Sequence, residues 1–277
     1  MNNNFKQGII FEHKQNKKYV PSINISNHNR IGEVNYNTCG GKMTIIEYIN
    51  ARKMTVLIES TLITGDKAYY IKENVPYDRF LKGIVKSPFD PSVYGIGYLG
   101  IGPYSIDIHR RHYDSWNSML GRCYSEKYHA KKPSYVECIV DPIFHNFQNF
   151  ALWYDYNYYE IEGETIQLDK DILYPGNKVY SPITCVFVPA HINSLFAYQQ
   201  STHNDELPIG SRIRNNKYEV RCYIDGERKI IGRFENKEDA YMAYKNAKEK
   251  EIKRVANLYK DKIPLKLYNA MMNYTVI

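Results

Sequence analysis

"IGSRIRNNKYEVRCYIDGERKIIGRFENKEDAYMAYKNAKEKEIKRVANLYKD", residues 209–261, is the most informative stretch of this chain. Three β-rich runs, "SRIR", "KYEVRCYI" and "RKIIGRFE", are separated by Asn215-Asn216 and Asp225-Gly226. Two-residue hairpin turns need left-handed backbone at both positions, and Asn, Asp and Gly adopt it at least cost. The stretch therefore predicts three short antiparallel strands. Asn236 then precedes a run of helix formers, with Asp239 three residues on, an N-capping arrangement. Ala240, Ala243, Tyr244 and Ala247 fall on one helical face, where small side chains let a helix lie close against a sheet.

Strand alternation assigns the faces. If Val220, Cys222 and Ile224 face the helix, then Glu219, Arg221 and Tyr223 face outward. Arg212 and Arg214 share a face of the first strand, and Arg228 and Ile230 share a face of the third. From Ser211 to Arg233 there are seven Lys/Arg against three Asp/Glu. An arginine-bearing sheet can enter a DNA major groove and reach guanine edges and phosphates. Taken alone, the same charge is equally that of a solvated sheet face.

The segment is similar to the Apetala-two/ethylene-response-factor DNA-binding domain, which also occurs in phage and homing endonucleases. Gly210, Lys217-Tyr218, "IGRFENKEDAYMAYKNA" and the terminal basic helix carry the likeness. The resemblance implies that Arg212, Arg214, Arg221, Tyr223 and Arg228, together with Lys229, contact double-stranded DNA. Ile230 stands where plant members tend to carry a tryptophan, so base preference does not transfer.

Composition agrees with a polyanion partner. The 277 residues carry a net charge of +7, 43% hydrophobic residues and 27 tyrosines. The tyrosines fit an AT-rich coding bias, or a set of stacking hydroxyl-bearing rings. Length suggests roughly two or three domains. No run approaches the roughly 18–20 apolar residues that span a bilayer, so no membrane partner is expected. The start lacks an apolar signal core. Five scattered cysteines without a C-x-x-C argue against disulfides and zinc ribbons, and for a cytoplasmic protein.

Residues 1–30 form a polar segment, with a short strand expected at the apolar patch Ile9–Phe11. Met43–Tyr48 and Met54–Ser60 read as half-buried strands. Pro88 and Pro91 close this segment, and a small β barrel over 31–91 is expected. "GIGYLG" (95–100) matches a dinucleotide fingerprint by letter only, since no βαβ unit surrounds it. Residues 92–112 read as a linker with tight turns. Trp116, Met119, Leu120 and Cys123 recur at helical spacing, as do Phe144, Phe147, Phe150, Ala151 and Trp153. His109 and His112 could ligate a metal but lack a partner acid at helical spacing, which favours a basic flanking patch.

Residues 114–196 resemble a phage HNH-like nuclease family. The carrying residues are Trp116–Tyr124, Phe147–Trp153, "LDKD" at 168–171, and "YSPITCVFVP" at 180–189 with Asn193. In such a module a hairpin and a helix grip one divalent metal that stabilises the leaving oxygen. The resemblance puts Asp169 and Asn193 on the metal, which would be Mg²⁺ or Mn²⁺. Lys170 stands where the general-base His belongs, and Thr184 near the orienting Asn. A lysine is a cation at neutral pH and a poor base, although a good phosphate clamp. Asp171 or His191 would then have to take the proton. Residues 31–91 also look like a domain found beside such modules in phage proteins, on "GGKMTIIEY" (40–48) and "FLKGIVKSP" (80–88).

The expected architecture is α+β. It comprises the barrel, a central ββα-metal (HNH-like) module with packing helices at 113–200, and a three-stranded antiparallel sheet plus helix at 205–277. The expected function is a phage or mobile-element DNA-binding protein, cutting or nicking DNA if the metal site works. The alternative is a non-catalytic regulator or anti-defence effector, without cofactor, that binds host DNA or a host protein complex in the host cytoplasm.

Overall fold

In the computed structural model, which describes residues 30–196 and 207–276, the first strands follow the alternation of their side chains. β1 (Val34–Tyr36), β2 (Lys42–Asn50), β3 (Lys53–Thr61) and β4 (Lys67–Val75) form an antiparallel sheet in that order. Met43 and Ile45 of β2 and Met54, Val56 and Ile58 of β3 point to one side and are buried. Val75, Val85 and Phe80 complete this core, Phe80 from the short helix α1 (Tyr77–Leu81). Burying each such side chain contributes roughly 1.5–3 kcal/mol. The buried Asp90 carboxyl accepts from Asn37 Nδ2, Ser60 Oγ and Ser87 N–H, each at 2.8 Å, so both its oxygens are hydrogen-bonded.

Both expected strands form, each longer than its apolar core. The barrel does not close among the described residues: β1 and β4 are the two edges of an open four-stranded meander. The reason is local. The chain after β4 turns into α1, and Asn35 of β1 donates to the Phe80 and Leu81 carbonyls instead of meeting another strand. The expected strand at Ile9–Phe11 and the expected boundary at 200–205 lie outside the described residues.

α2 (Arg110–Tyr124) buries Trp116, Met119, Leu120 and Cys123, the face that its spacing predicts. After the one-turn α3 (Glu126–His129) and the short β5 (Ile139–Val140), α4 (Phe147–Asn157) adds Phe147, Phe150, Ala151 and Trp153. Trp116 Nε1 donates to the Phe144 carbonyl at 2.7 Å. The glycine-rich segment packs on these helices. A Cβ on Gly97 would lie 2.5 Å from Leu120 and 2.8 Å from Trp116, and Phe147 N–H donates to the Tyr98 carbonyl.

β6 (Ile166–Asp169) and β8 (Val186–Pro189) pair antiparallel, and α5 (Ala190–Phe196) follows at once. Between them β7 (Val179–Tyr180) pairs parallel with β5. The last elements are β9 (Ser211–Arg214), β10 (Lys217–Ile224), β11 (Glu227–Phe234), α6 (Lys237–Leu258) and α7 (Leu265–Met272). The chain divides into two compact units, Met1–Tyr156 with Lys178–Ile183, and Asn157–Asn177 with Thr184–Ile277. In the second unit Val186, Val188, Ile192 and Leu195 share one core with Ile252, Val255 and Ala256 of α6 and Leu267 and Met271 of α7. The class is therefore α+β, with a four-stranded antiparallel sheet and a C-terminal three-stranded antiparallel sheet plus helix. Among the described residues no helix is long and apolar enough to cross a membrane.

Candidate nucleic-acid interface

The C-terminal sheet runs in the order β11-β10-β9, all antiparallel. Its two turns lie where the dipeptides put them. Asn215 and Asn216 have φ of 51° and 58°, Asp225 and Gly226 of 56° and 75°, the left-handed pair that a two-residue hairpin requires. Asn236 caps α6, its Oδ1 accepting the Asp239 N–H at 2.8 Å. Val220, Cys222 and Ala240 are buried, which fixes the helix-side face. Gly210 has φ +72°, and a Cβ there would lie 2.2 Å from the Tyr244 ring of α6. The tip of the β10–β11 hairpin is tied to the same helix, because Asp225 N–H donates to the buried Glu251.

The other face gathers arginines around one carboxylate. Glu219 is fully buried, although it sits on the face away from the helix. Its Oε1 accepts from Arg212 Nε at 3.0 Å, Arg221 Nε at 3.1 Å and Arg221 Nη2 at 2.8 Å. Its Oε2 accepts from Arg233 Nε at 3.1 Å and Arg214 Nη1 at 3.5 Å. Burial by itself would raise this carboxyl. The hydrogen bonds from Arg221, Arg212 and Arg233 outweigh it and hold the group down at about 2. Register adds Arg228, opposite the exposed Tyr223, and Ile230, opposite Arg221.

Of the residues expected to contact DNA, the sheet thus brings together Arg212, Arg214, Arg221, Tyr223 and Arg228. Lys229 departs from them. It lies opposite Cys222, on the helix side, and pairs with Asp225 at 3.8 Å. Arg233 joins the group, and strict alternation from Arg228 and Ile230 would have missed it. The ladder shifts between Val220 and Arg221, so that Arg221 faces Ile230 while Val220 faces Gly232. This one-residue bulge at Ile231 reverses the parity of β11 and turns Arg233 to the arginine face. The signal available in the sequence was Gly232, a residue often found at strand irregularities.

The residues expected at the metal make their hydrogen bonds within their own loop and strands. β6, β8 and α5 do make a hairpin followed by a helix. Asp169 ends β6, but its Oδ1 accepts the Asp171 and Ile172 N–H groups, each at 2.8 Å, as a turn-closing side chain. Burial, and then the Asp171 charge, push its carboxyl up to about 6. Asn193 donates to Gln167 Oε1 at 2.7 Å. The Lys170 ammonium is buried and spans Asp171 Oδ2 at 2.9 Å and the Asn177 carbonyl at 3.0 Å, stapling the Pro175-Gly176 turn. His191 is exposed on α5, its ring stacked on Tyr259.

Mg²⁺ takes a near-octahedral set of oxygens, usually with fully ionised carboxylates. Here the Oδ1 of the carboxylate at the expected position already serves two backbone donors. Among the described residues no group of three or more His, Cys, Asp and Glu converges to hold a metal.

Elsewhere, His112 finds an acid that helical spacing could not supply. Asp155 of α4 meets its Nε2 at 2.6 Å and the Tyr104 hydroxyl at 2.6 Å. The pair fastens α2 to α4 within the first unit. No protein-family model, curated protein or solved structure matches this chain.

Proposed function

We propose that the chain is a double-stranded DNA-binding protein that docks the arginine face of its C-terminal sheet on the duplex. One observation carries the reading: Arg212, Arg214, Arg221 and Arg233 converge on the single buried carboxylate of Glu219. Four guanidinium groups around one carboxylate leave three net positive charges on a small patch, with Arg228 beside them. Concentrated positive charge opposes its own folding, and an anionic partner relieves it. Arginine also reads guanine O6/N7 and phosphate oxygens bidentately.

We take β6, β8 and α5 as an HNH-derived frame that supports this reader without cutting DNA. The engagements of Asp169, Lys170 and Asn193 with their own loop and strand support that view over the nicking enzyme. The setting would be the cytoplasm of a host cell. A regulator or anti-defence effector fits this reading.

The test is a gel shift on linear duplex combined with plasmid nicking in Mg²⁺ or Mn²⁺. Wild type should shift DNA, and log affinity should fall against log salt with a slope of about −3 to −5 as phosphates displace counterions. Arg221→Ala should weaken the shift at least about tenfold. Plasmid should stay supercoiled, in wild type and Asp169→Ala alike. Metal-dependent nicking lost in Asp169→Ala would restore the nuclease, and no shift at all would point to a host protein complex.

A further inference from the structure

The hub of the arginine face has a chemistry of its own. A guanidinium has two donor edges, one made by Nε and Nη2, the other by Nη1 and Nη2. Arg221 gives Glu219 its Nε edge, with Nε at 3.1 Å and Nη2 at 2.8 Å from Oε1. Arg212 does the same, with Nε at 3.0 Å and Nη2 at 2.8 Å. Arg233 offers Nε and Nη2 to Oε2, both at 3.1 Å. In all three the carboxylate holds the inner edge, and among the described residues no other acceptor meets the terminal edge. That edge matches the O6 and N7 of a guanine in the major groove.

Burial ranks the arginines. The Arg221 side chain is 22% exposed, against 47% for Arg212, 51% for Arg214 and 47% for Arg233. Arg221 is therefore the most firmly held, and a fixed donor pair discriminates between acceptors better than a mobile one. One or two arginines would satisfy the two oxygens of Glu219. The surplus donors, those of Arg233 delivered by the bulge among them, can serve a further acceptor.

We propose that Glu219 is the positioning residue of a preassembled arginine reader, that Arg233 is one of its DNA-contacting members, and that the array takes guanine O6/N7 edges in duplex DNA. The inference rests on the DNA-binding function proposed above, and adds that sequence discrimination depends on a residue that need not touch DNA.

The experiment uses the full chain and a randomised duplex library, from which bound sequences are selected and compared with unselected duplex. Wild type should enrich guanine-containing sites. Glu219→Gln keeps the size of the side chain and removes its charge. It should lower the ratio of selected to random binding at least about tenfold, the scale of one bidentate base contact. Binding to random duplex should tighten at the same time, because one negative charge has gone. A merely structural role for Glu219 would instead weaken both together. Arg233→Ala, at an exposed position, should weaken the selected sites at least about tenfold and relax the preference for guanine. It also decides the matter if Glu219→Gln fails to fold, as read by its circular dichroism.

Wild-type discrimination in Glu219→Gln, or unchanged binding in Arg233→Ala, overturns the proposal while DNA binding stands. So does a wild type that binds duplex but selects no sequence. A wild type that shifts no duplex at about 50 mM salt overturns the DNA-binding function and this inference together.

Discussion

At the scale of single residues, two carboxyls move in opposite directions. Glu219 lies at about 2, below the ordinary 4.5, so the folded state binds its proton less readily than the unfolded chain. Its contribution is therefore fully present above about 4.5 and fades as pH falls toward 2. Asp169 lies at about 6, above the ordinary 3.8, so ionisation opposes folding progressively from about pH 4 to 6. Asp169→Asn keeps an oxygen for the two backbone N–H groups and removes the buried charge. It should stabilise the protein at pH 7, by on the order of 1 kcal/mol, and bring no gain at pH 4, as urea melts at the two values will show. Lys229 offers a contrast within one strand. Because it sits opposite Cys222 rather than on the arginine face, Lys229→Ala should weaken duplex binding less than Arg228→Ala in the same gel shift.

At the scale of elements, the C-terminal sheet and helix were legible because their signals are local. Asn-Asn and Asp-Gly turns, the Asn236 cap and the small-residue helix face each act within a few residues, and each lies where local chemistry puts it. The bulge was not legible. Its position depends on how β10 and β11 twist against α6, and one extra residue reverses every later side chain. Deleting Ile231 should restore strict pairing, turn Arg233 toward the helix, and reduce duplex binding as much as Arg233→Ala does. Gly210→Ala meets both a left-handed φ and the Tyr244 ring, and should cost about 1–3 kcal/mol in a thermal melt. The partners of the side chains in the HNH-like stretch were not legible. Lys170 reads as a displaced catalytic position, whereas its partners are the next residue and a carbonyl seven positions on. The Asp155 partner of His112 comes from another helix, beyond the reach of any spacing rule.

At the scale of the molecule, the hairpin of the second unit and its C-terminal helices share a core, so they should fold as one. Ile252 is fully buried there. Ile252→Ala should cost about 2–5 kcal/mol. Hydrogen exchange should then quicken in β8 and α7 together, whereas separate folding units would confine the change to α6 and α7. The path of the chain bears on its history as well. The polypeptide passes between the units at 156/157, again at 177/178, and back at 183/184. A lineage that swaps modules by cutting and joining genes finds no single breakpoint here: any one crossover would hand on one unit with a piece of the other.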